Sequence, residues 1–243
     1  MLFNPATTPR MKTIAIMQPY FLPYLGYFQL IAAVDKFVVL DDVNYIRGGW
    51  INRNRMLMNG VPHLFTVPLR GASQNRRICD LAVMEENGWR DKLLRSINQA
   101  YGRAPYYTQV IALLEAMLHF PNLQLDQFLL NSLQQTIQYI GLNTELAPTS
   151  RAYGNAELPG ERRIIDICVR EGATNYINPI GGTGLYSHED FRQHGIALHF
   201  LKSRSSSYNQ GKHPHTAGLS IIDVMMHNAP ATIGQLLIEK DLI

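Results

Sequence analysis

Apolar positions recur along the chain in two periods, and they divide it into elements. Residues 12–17 (KTIAIM) form a short β-type run, and a loop over 18–23 follows, broken by Pro19 and Pro23. Leu25, Phe28, Ile31 and Ala32 then return at helical spacing and predict a helix over 24–33. Residues 36–40 (KFVVL) read as a second buried strand, ending on the acidic pair Asp41-Asp42. Strand, loop, helix and strand in this order form a βαβ unit, which predicts a parallel sheet with a right-handed crossover. Ligands of such sheets lie beyond the carboxyl ends of the strands, where both the 18–23 loop and the Asp pair fall.

Residues 55–70 read as a β-hairpin turning at Asn59-Gly60. Helical patterns follow near 89–101, 105–119 and 125–140, the last stopped by Gly141, and they predict a helical subdomain over about 88–142. The α/β rhythm then returns. Strands are predicted at 146–150, 175–178 and 196–201, and helices at 161–171 and 187–194, with a glycine loop over 181–184 before the second of these. Helices at 219–227 and 231–237 close the chain, with Ser220 as a cap and Asp223 as its capping-box partner. The expected fold class is therefore α/β, with a Rossmann-like, mostly parallel sheet and a helical middle insertion. It occupies 11–243 as one domain behind a disordered leader at 1–10.

Composition narrows the function classes. The chain has 243 residues, 46% apolar and 17% charged, enough for a sizeable core. A formal charge of +3 permits a local anion pocket but lacks the basic stripe of a DNA-binding protein. The two cysteines, Cys79 and Cys168, have neither metal nor disulfide spacing, and Cys168 reads as a buried core thiol. No apolar run is long enough to cross a membrane, and no signal-peptide pattern opens the chain, so the expectation is a cytoplasmic protein without membrane insertion.

Four stretches can carry chemistry. The first is the loop and helix start holding Gln18, Tyr20, Tyr24 and Gly26. A loop that opens a helix presents free N–H groups to an anion, and glycine allows close approach. The second joins Asp41 and Asp42 to Asn52, Arg53, Asn54 and Arg55. Paired carboxylates can hold Mg²⁺ or accept a substrate amine, and the arginines can clamp a phosphate, with 53 and 55 on one strand face. The third runs from Asn178 through Gly181 and Gly182 to Tyr186. It has the order of a phosphate cradle but neither the Gly-x-Gly-x-x-Gly spacing nor a P-loop lysine, so a plain tight turn stays open. The fourth contains Tyr208, Gln210, His213 and His215; no carboxylate or cysteine stands at ligand spacing to the histidines, so no metal site is expected. The Ser/Arg-rich 202–207 run reads as a loop over the site.

The first stretch resembles the nucleotidyltransferase and pantothenate-synthetase superfamily in arrangement. There a His-x-Gly-His signature opens the helix and meets ATP or CTP phosphates. Here the corresponding residues are Tyr24-Leu25-Gly26-Tyr27, and both histidines are absent.

The run from Met17 to Tyr27, with Asp41-Asp42-Val43 and Asn52 to Arg55, resembles the opening of the WbqC-like protein family. The stretches 175–186, 195–196, 208–210 and 219–223 resemble that family's second half. The resemblance implies a role in O-antigen and related surface-glycan (lipopolysaccharide) synthesis, with a proposed glycine-transferase activity. On that basis the expected function is a transferase or ligase that modifies a nucleotide-linked amino sugar by amide formation with glycine or another small acid. Asp41, Asp42 and Arg53 would be catalytic. Gln18, Tyr20, Tyr24, Gly26, Asn52, Arg55, Asn178, Gly181, Gly182, Tyr186, Tyr208 and Gln210 would bind substrate or nucleotide. ATP with Mg²⁺, aminoacyl-tRNA and acyl-CoA all remain open as activating partners, and homo-oligomers are allowed. The alternative is a non-catalytic nucleotide-sugar-binding or pathway-assembly protein. Both readings require these distant stretches to converge on a shared cleft.

Overall fold

The computed structural model describes residues 11–204, 207–212 and 214–243; the leader expected at 1–10, residues 205 and 206 of the 202–207 loop, and His213 lie outside them. The strands are β1 (Thr13–Met17), β2 (Lys36–Val39), β3 (Arg53–Met58), β4 (Val61–Thr66), β5 (Leu69–Arg70), β6 (Ala82–Val83), β7 (Glu145–Ala147), β8 (Asn175–Pro179), β9 (Ala197–Ser203) and β10 (Lys240–Leu242). The helices are α1 (Leu25–Ile31), α2 (Trp89–Tyr101), α3 (Tyr107–Leu118), α4 (Leu125–Ile140), α5 (Gly160–Arg170), α6 (His188–Gln193), α7 (Ile221–His227) and α8 (Pro230–Ile238).

Six strands form one sheet in the order β10-β9-β8-β1-β2-β7. Every pairing is parallel except that of β9 with β10. This is the α/β, Rossmann-like, mostly parallel sheet that the opening βαβ pattern predicts. Chain order reverses at β1, with β2 and β7 on one side and β8 and β9 on the other. Such a reversal opens a crevice at the carboxyl ends of the strands. Met17 of β1 and Pro179 of β8 end the two strands that flank it.

Both faces of the sheet are covered, as a parallel sheet requires. Ile14 and Ile16 of β1 and Val38 of β2 pack with Ile164, Ile167 and Cys168 of α5 and Phe191 of α6. Ala15, Phe37 and Val39 point the other way, into a larger core with α1, α4, α7 and α8. Burying one such large side chain is worth about 1.5–3 kcal/mol. A one-residue slip of β1 would exchange its two faces, so the register is strongly specified.

The three middle helices join the larger core. Phe128 of α4 stacks on Phe21 of the loop after β1, with ring centres 5.3 Å apart, so the helical insertion is packed onto the segment that borders the crevice. The β3–β4 hairpin turns at Asn59 and Gly60, both at positive φ, as a two-residue hairpin turn needs. Among the described residues no helix is long and apolar enough to cross a membrane.

Four local expectations change. Lys202 and Ser203, expected in the 202–207 loop, extend β9. The strand predicted at 146–150 ends at Ala147, because Thr149 turns to cap a short 3-10 helix at Ser150–Tyr153. β10 pairs antiparallel on β9 although residues 240–242 carry no strand pattern of their own. Ser220 does cap α7, its hydroxyl accepting from the Ile222 N–H, but Asp223 is not its capping-box partner. The Ser220 N–H already donates to the Arg55 carbonyl, so the Asp223 carboxylate is free to turn inward.

Candidate functional site

The loop after β1 is held from three directions. The Leu22 carbonyl accepts from the Asn54 side-chain amide at 2.8 Å and from the Ser220 hydroxyl at 2.7 Å. Phe21 donates its N–H to Ile51, and Pro23 accepts from Ile221. These bonds support a positive φ of 46° at Leu22, an uncommon backbone state outside glycine. The Gln18 carbonyl accepts the Tyr27 hydroxyl at 2.8 Å. Pro19 and Pro23 thus interrupt regular structure until α1 starts at Leu25, and tertiary hydrogen bonds shape the loop over the strand end.

Above this loop is a compartment of about 380 Å³ lined by Met17, Tyr20, Pro23, Tyr24, Trp50, Asn54, Arg55 and Gly218. Burial pushes the Tyr20 phenol up to about 12, with the neighbouring Tyr24 adding to it. Burial raises Tyr24 as well. Both rings therefore stay neutral at pH 7 and can donate hydrogen bonds. Trp50 lies between two arginines, with the guanidinium of Arg53 5.6 Å and that of Arg55 5.4 Å from its ring centre. Arg53 is spent on the loop, donating to the Gly49 carbonyl at 2.8 Å and to Gly48. Arg55 is not: Nη2 reaches the Gly218 carbonyl at a long 3.3 Å, while its buried Nε has no hydrogen-bond partner. The alternation expected for the segment holds, with 53 and 55 partly open and Asn52 and Asn54 buried. Asn52 is a brace, accepting from Tyr45 and donating to the Val67 carbonyl. A side chain at Gly26 would meet the Tyr24 ring and Ser203, so the backbone here leaves no room for one.

The Asp pair lies at the same sheet edge but turns elsewhere. Asp41, 1% exposed, accepts from Thr149 at 2.8 Å, from the Ser150 N–H at 3.0 Å and from Arg151 at 3.1 Å. Asp42 accepts from Ser150 and from Arg163 at 2.5 Å. Burial opposes charge on Asp42, yet the Ser150 hydroxyl and the Arg163 guanidinium outweigh it and hold the carboxyl below its usual range. Donors surround both carboxylates, the cationic Arg151 and Arg163 guanidiniums among them, and among the described residues no three His, Cys, Asp or Glu side chains group as metal ligands. The pair does not fit a metal. Asp42, with Tyr186, lines a second cleft, of about 810 Å³.

The remaining expected residues line neither cleft. Asn178 accepts from Tyr176 and fills the space where a Gly182 side chain would stand. Gly181 is exposed in a 3-10 turn at Ile180–Gly182. Tyr208 and Gln210 converge on Asp223, which is 0% exposed and also takes the Tyr101 hydroxyl. Tyr208 borders a small recess with Tyr24 and Gly26. The structure thus groups Tyr20, Tyr24, Asn54, Arg55 and, through Trp50, Arg53 in one compartment, and Asp42 with Tyr186 in another. The two share no lining residue and border the same strand edge, where Leu40 of the second donates its N–H to the carbonyl of Met17 of the first at 2.9 Å.

Arg163 escaped the sequence reading, whereas Trp50 and Asp223 fell inside candidate stretches without being given a site role. Trp50 carried a usable signal, a lone tryptophan inside the densest cationic stretch. Arg163 and Asp223 carried none, because each sits in an ordinary helical pattern and acquires its partners only from distant segments.

A family model described as the WbqC-like protein family matches residues 18–235. The "Uncharacterized protein Rv1507c" of Mycobacterium tuberculosis (strain ATCC 25618 / H37Rv) is 29% identical over 170 residues, covering 69% of this chain and 72% of that protein. No solved structure matches the chain.

Proposed function

The chain belongs to the WbqC-like protein family, and from that membership we propose that it binds a nucleotide-linked amino sugar and acylates its amine with glycine or another small acid during surface-polysaccharide synthesis. The observation that carries this reading is the buried, unpartnered Nε of Arg55 beside Tyr20, Tyr24 and Trp50. A buried guanidinium N–H without an acceptor is costly and is relieved by an anionic oxygen. The aromatic rings beside it offer stacking faces and neutral phenol donors. A nucleoside diphosphate supplies both the phosphate and the flat ring that such a pocket favours.

In this reading Arg55 holds the phosphate, while Arg53 keeps Trp50 in place through the 48–49 backbone. Gln18 and Gly26 shape the loop beneath. Asp42 orients the attacking amine from the second cleft, and Asp41 fixes the 149–151 segment. Amide formation joins the sugar nitrogen to an activated acyl carbon and releases the activating group with one proton. ATP, aminoacyl-tRNA and acyl-CoA remain the candidate sources of that activation.

The engagement of both aspartates by internal donors favours a second reading, a nucleotide-sugar binder without catalysis. A thermal-shift titration with nucleoside diphosphates and their sugar conjugates tests the pocket, since a ligand of the native state raises Tm with concentration. Mass analysis of mixtures with glycine and each activating partner tests the transfer, where a gain of one glycyl residue on the sugar is expected. Stabilisation without product in any mixture selects the binding reading, and no stabilisation by any nucleotide rejects both.

A further inference from the structure

The formal charge of +3 is the sum of two unequal parts. Six of the chain's 22 lysines and arginines lie in 43–79 and none of its 19 aspartates and glutamates does, so this segment carries +6 and the rest of the chain −3. Two of the six are neutralised from outside the segment, Arg70 by Glu86 at 3.0 Å and Arg77 by Asp80 at 3.1 Å. Arg47, Arg53, Arg55 and Arg76 have no carboxylate partner among the described residues. Arg53 spends its donors on the Gly48 and Gly49 carbonyls, and Arg76 on those of Gly71 and Asp80, so both keep their full charge. The Arg76 carbonyl accepts the Tyr45 N–H at 2.8 Å, which ties this residue to the 44–50 loop. Large apolar side chains stand exposed among these arginines: Ile46 at 51%, Leu64 at 46%, Trp50 at 42% and Tyr24 at 39%. Trp50 lies against the Arg53 and Arg55 guanidiniums. Leu64 of β4 is directly opposite Arg55 of β3 in the hairpin register, so the two share a face. Ile46 stands against Gly49, whose carbonyl Arg53 holds.

Exposed apolar side chains set among unpaired arginines match a partner that is anionic at its surface and apolar beneath. Tryptophan and tyrosine favour the headgroup layer of a bilayer, arginine reaches lipid phosphate while its stem stays on the apolar side, and aliphatic side chains enter the acyl boundary. An RNA would satisfy the arginines and stack on Trp50 and Tyr24, but it offers Ile46 and Leu64 nothing apolar to enter. We infer that the 46–50 loop and the Arg55–Leu64 face of the hairpin form a docking surface for an anionic phospholipid bilayer, on which the chain rests without crossing it. Ile46, Arg47, Leu64 and Arg76 do not line the Trp50 compartment, so the inference stands apart from the nucleotide reading. Trp50 and Tyr24 belong to both, and docking therefore brings that compartment to the headgroup layer.

Co-sedimentation of the full chain with lipid vesicles tests it. Phosphatidylcholine vesicles that contain phosphatidylglycerol should bind the chain roughly ten-fold or more tightly than pure phosphatidylcholine, and added salt should weaken the binding. Trp89 is 8% exposed, so a blue shift of tryptophan emission on binding, with quenching by brominated acyl chains, reports Trp50 at the interface. Arg47→Glu should weaken binding by more than about five-fold, and Ile46→Ser combined with Leu64→Ser by roughly ten-fold. Val169→Ser should leave it unchanged, since Val169 is 52% exposed on α5, which packs on the other face of the sheet. Every replaced side chain is exposed, so the variants keep the fold, which melting curves check. Absent vesicle binding, equal affinity for neutral and anionic vesicles, unchanged binding by Arg47→Glu, or an equal loss in Val169→Ser overturns the inference. Binding of unfractionated tRNA that Arg47→Glu weakens, without vesicle binding, overturns it in favour of a nucleic acid.

Discussion

The Arg55 guanidinium lies 5.4 Å from the centre of the Trp50 ring and keeps its Nε buried without a partner. The ring gives the cation a weak anchor, about 0.5–1 kcal/mol at an exposed position. The ring makes no directional hydrogen bond to Nε. In the proposed reading the pair contributes more to binding than to stability.

Arg55→Ala should weaken nucleoside diphosphate binding by at least about ten-fold, a loss of roughly 1.4 kcal/mol. The change in unfolding free energy should stay within about 1 kcal/mol. Arg55→Lys should not restore affinity, because an ammonium lacks the planar Nε–H. Calorimetric titration and urea denaturation on the same samples measure both quantities.

Gly26→Ala places a methyl against the Tyr24 ring and Ser203. Tyr24 is 39% exposed and can swing away, whereas the β9 backbone under Ser203 cannot. The expected outcome is a folded protein destabilised by about 1–3 kcal/mol, with nucleotide affinity reduced because Tyr24 leaves its wall. Unchanged affinity would separate Tyr24 from the ligand.

Asp223→Ala removes the acceptor shared by Tyr101 at 2.9 Å, Tyr208 at 2.6 Å and Gln210 at 2.7 Å. The Tyr101 and Tyr208 hydroxyls lose their acceptor and Gln210 loses one of several, so a loss of about 2–4 kcal/mol is expected by chemical denaturation. Gln210 also bonds the Thr216 backbone, near Gly218 of the Trp50 compartment. Any folded fraction should therefore show weakened nucleotide binding.

At the amino edge of the sheet, burial alone would raise Glu171, but Lys12, Lys36 and Tyr153 outweigh it and hold the carboxyl at about 2. A carboxyl depressed in the folded state contributes stability in full above its unfolded value, near 4.5. That contribution is lost as pH falls from there through about 2. Glu171→Gln should lower stability at pH 7 and flatten the decline across that acid window. Denaturation midpoints measured from pH 7 to pH 2 check this, and an unchanged acid slope would exclude the cluster as its source.

Much of the architecture was legible because local pattern and tertiary demand agree. β1 and β2 read as apolar runs, and both are buried on two faces. α2 and α4 have the bounds their periodicity predicts, with Gly141 at φ 73° ending α4. β10 was not legible, since a three-residue edge strand takes its conformation from β9. Nor was the fate of Asp41-Asp42 legible: adjacent strand-end carboxylates look available for chemistry until Thr149, Ser150 and Arg163 arrive from more than 100 residues away.

The sequence by itself determined most of the secondary-structure elements, the α/β class and the edge of the sheet where polar residues collect, because these follow from period, turn chemistry and chain order. Only the tertiary structure decided which of those polar groups are consumed as braces and which keep an unused valence. It divided the expected single cleft into the Trp50 compartment and the Asp42–Arg163 cleft on opposite sides of the β1–β2 edge. The physical reason is that a hydrogen-bonding group is spent or spare according to what packs against it, and those neighbours come from parts of the chain that no local pattern connects.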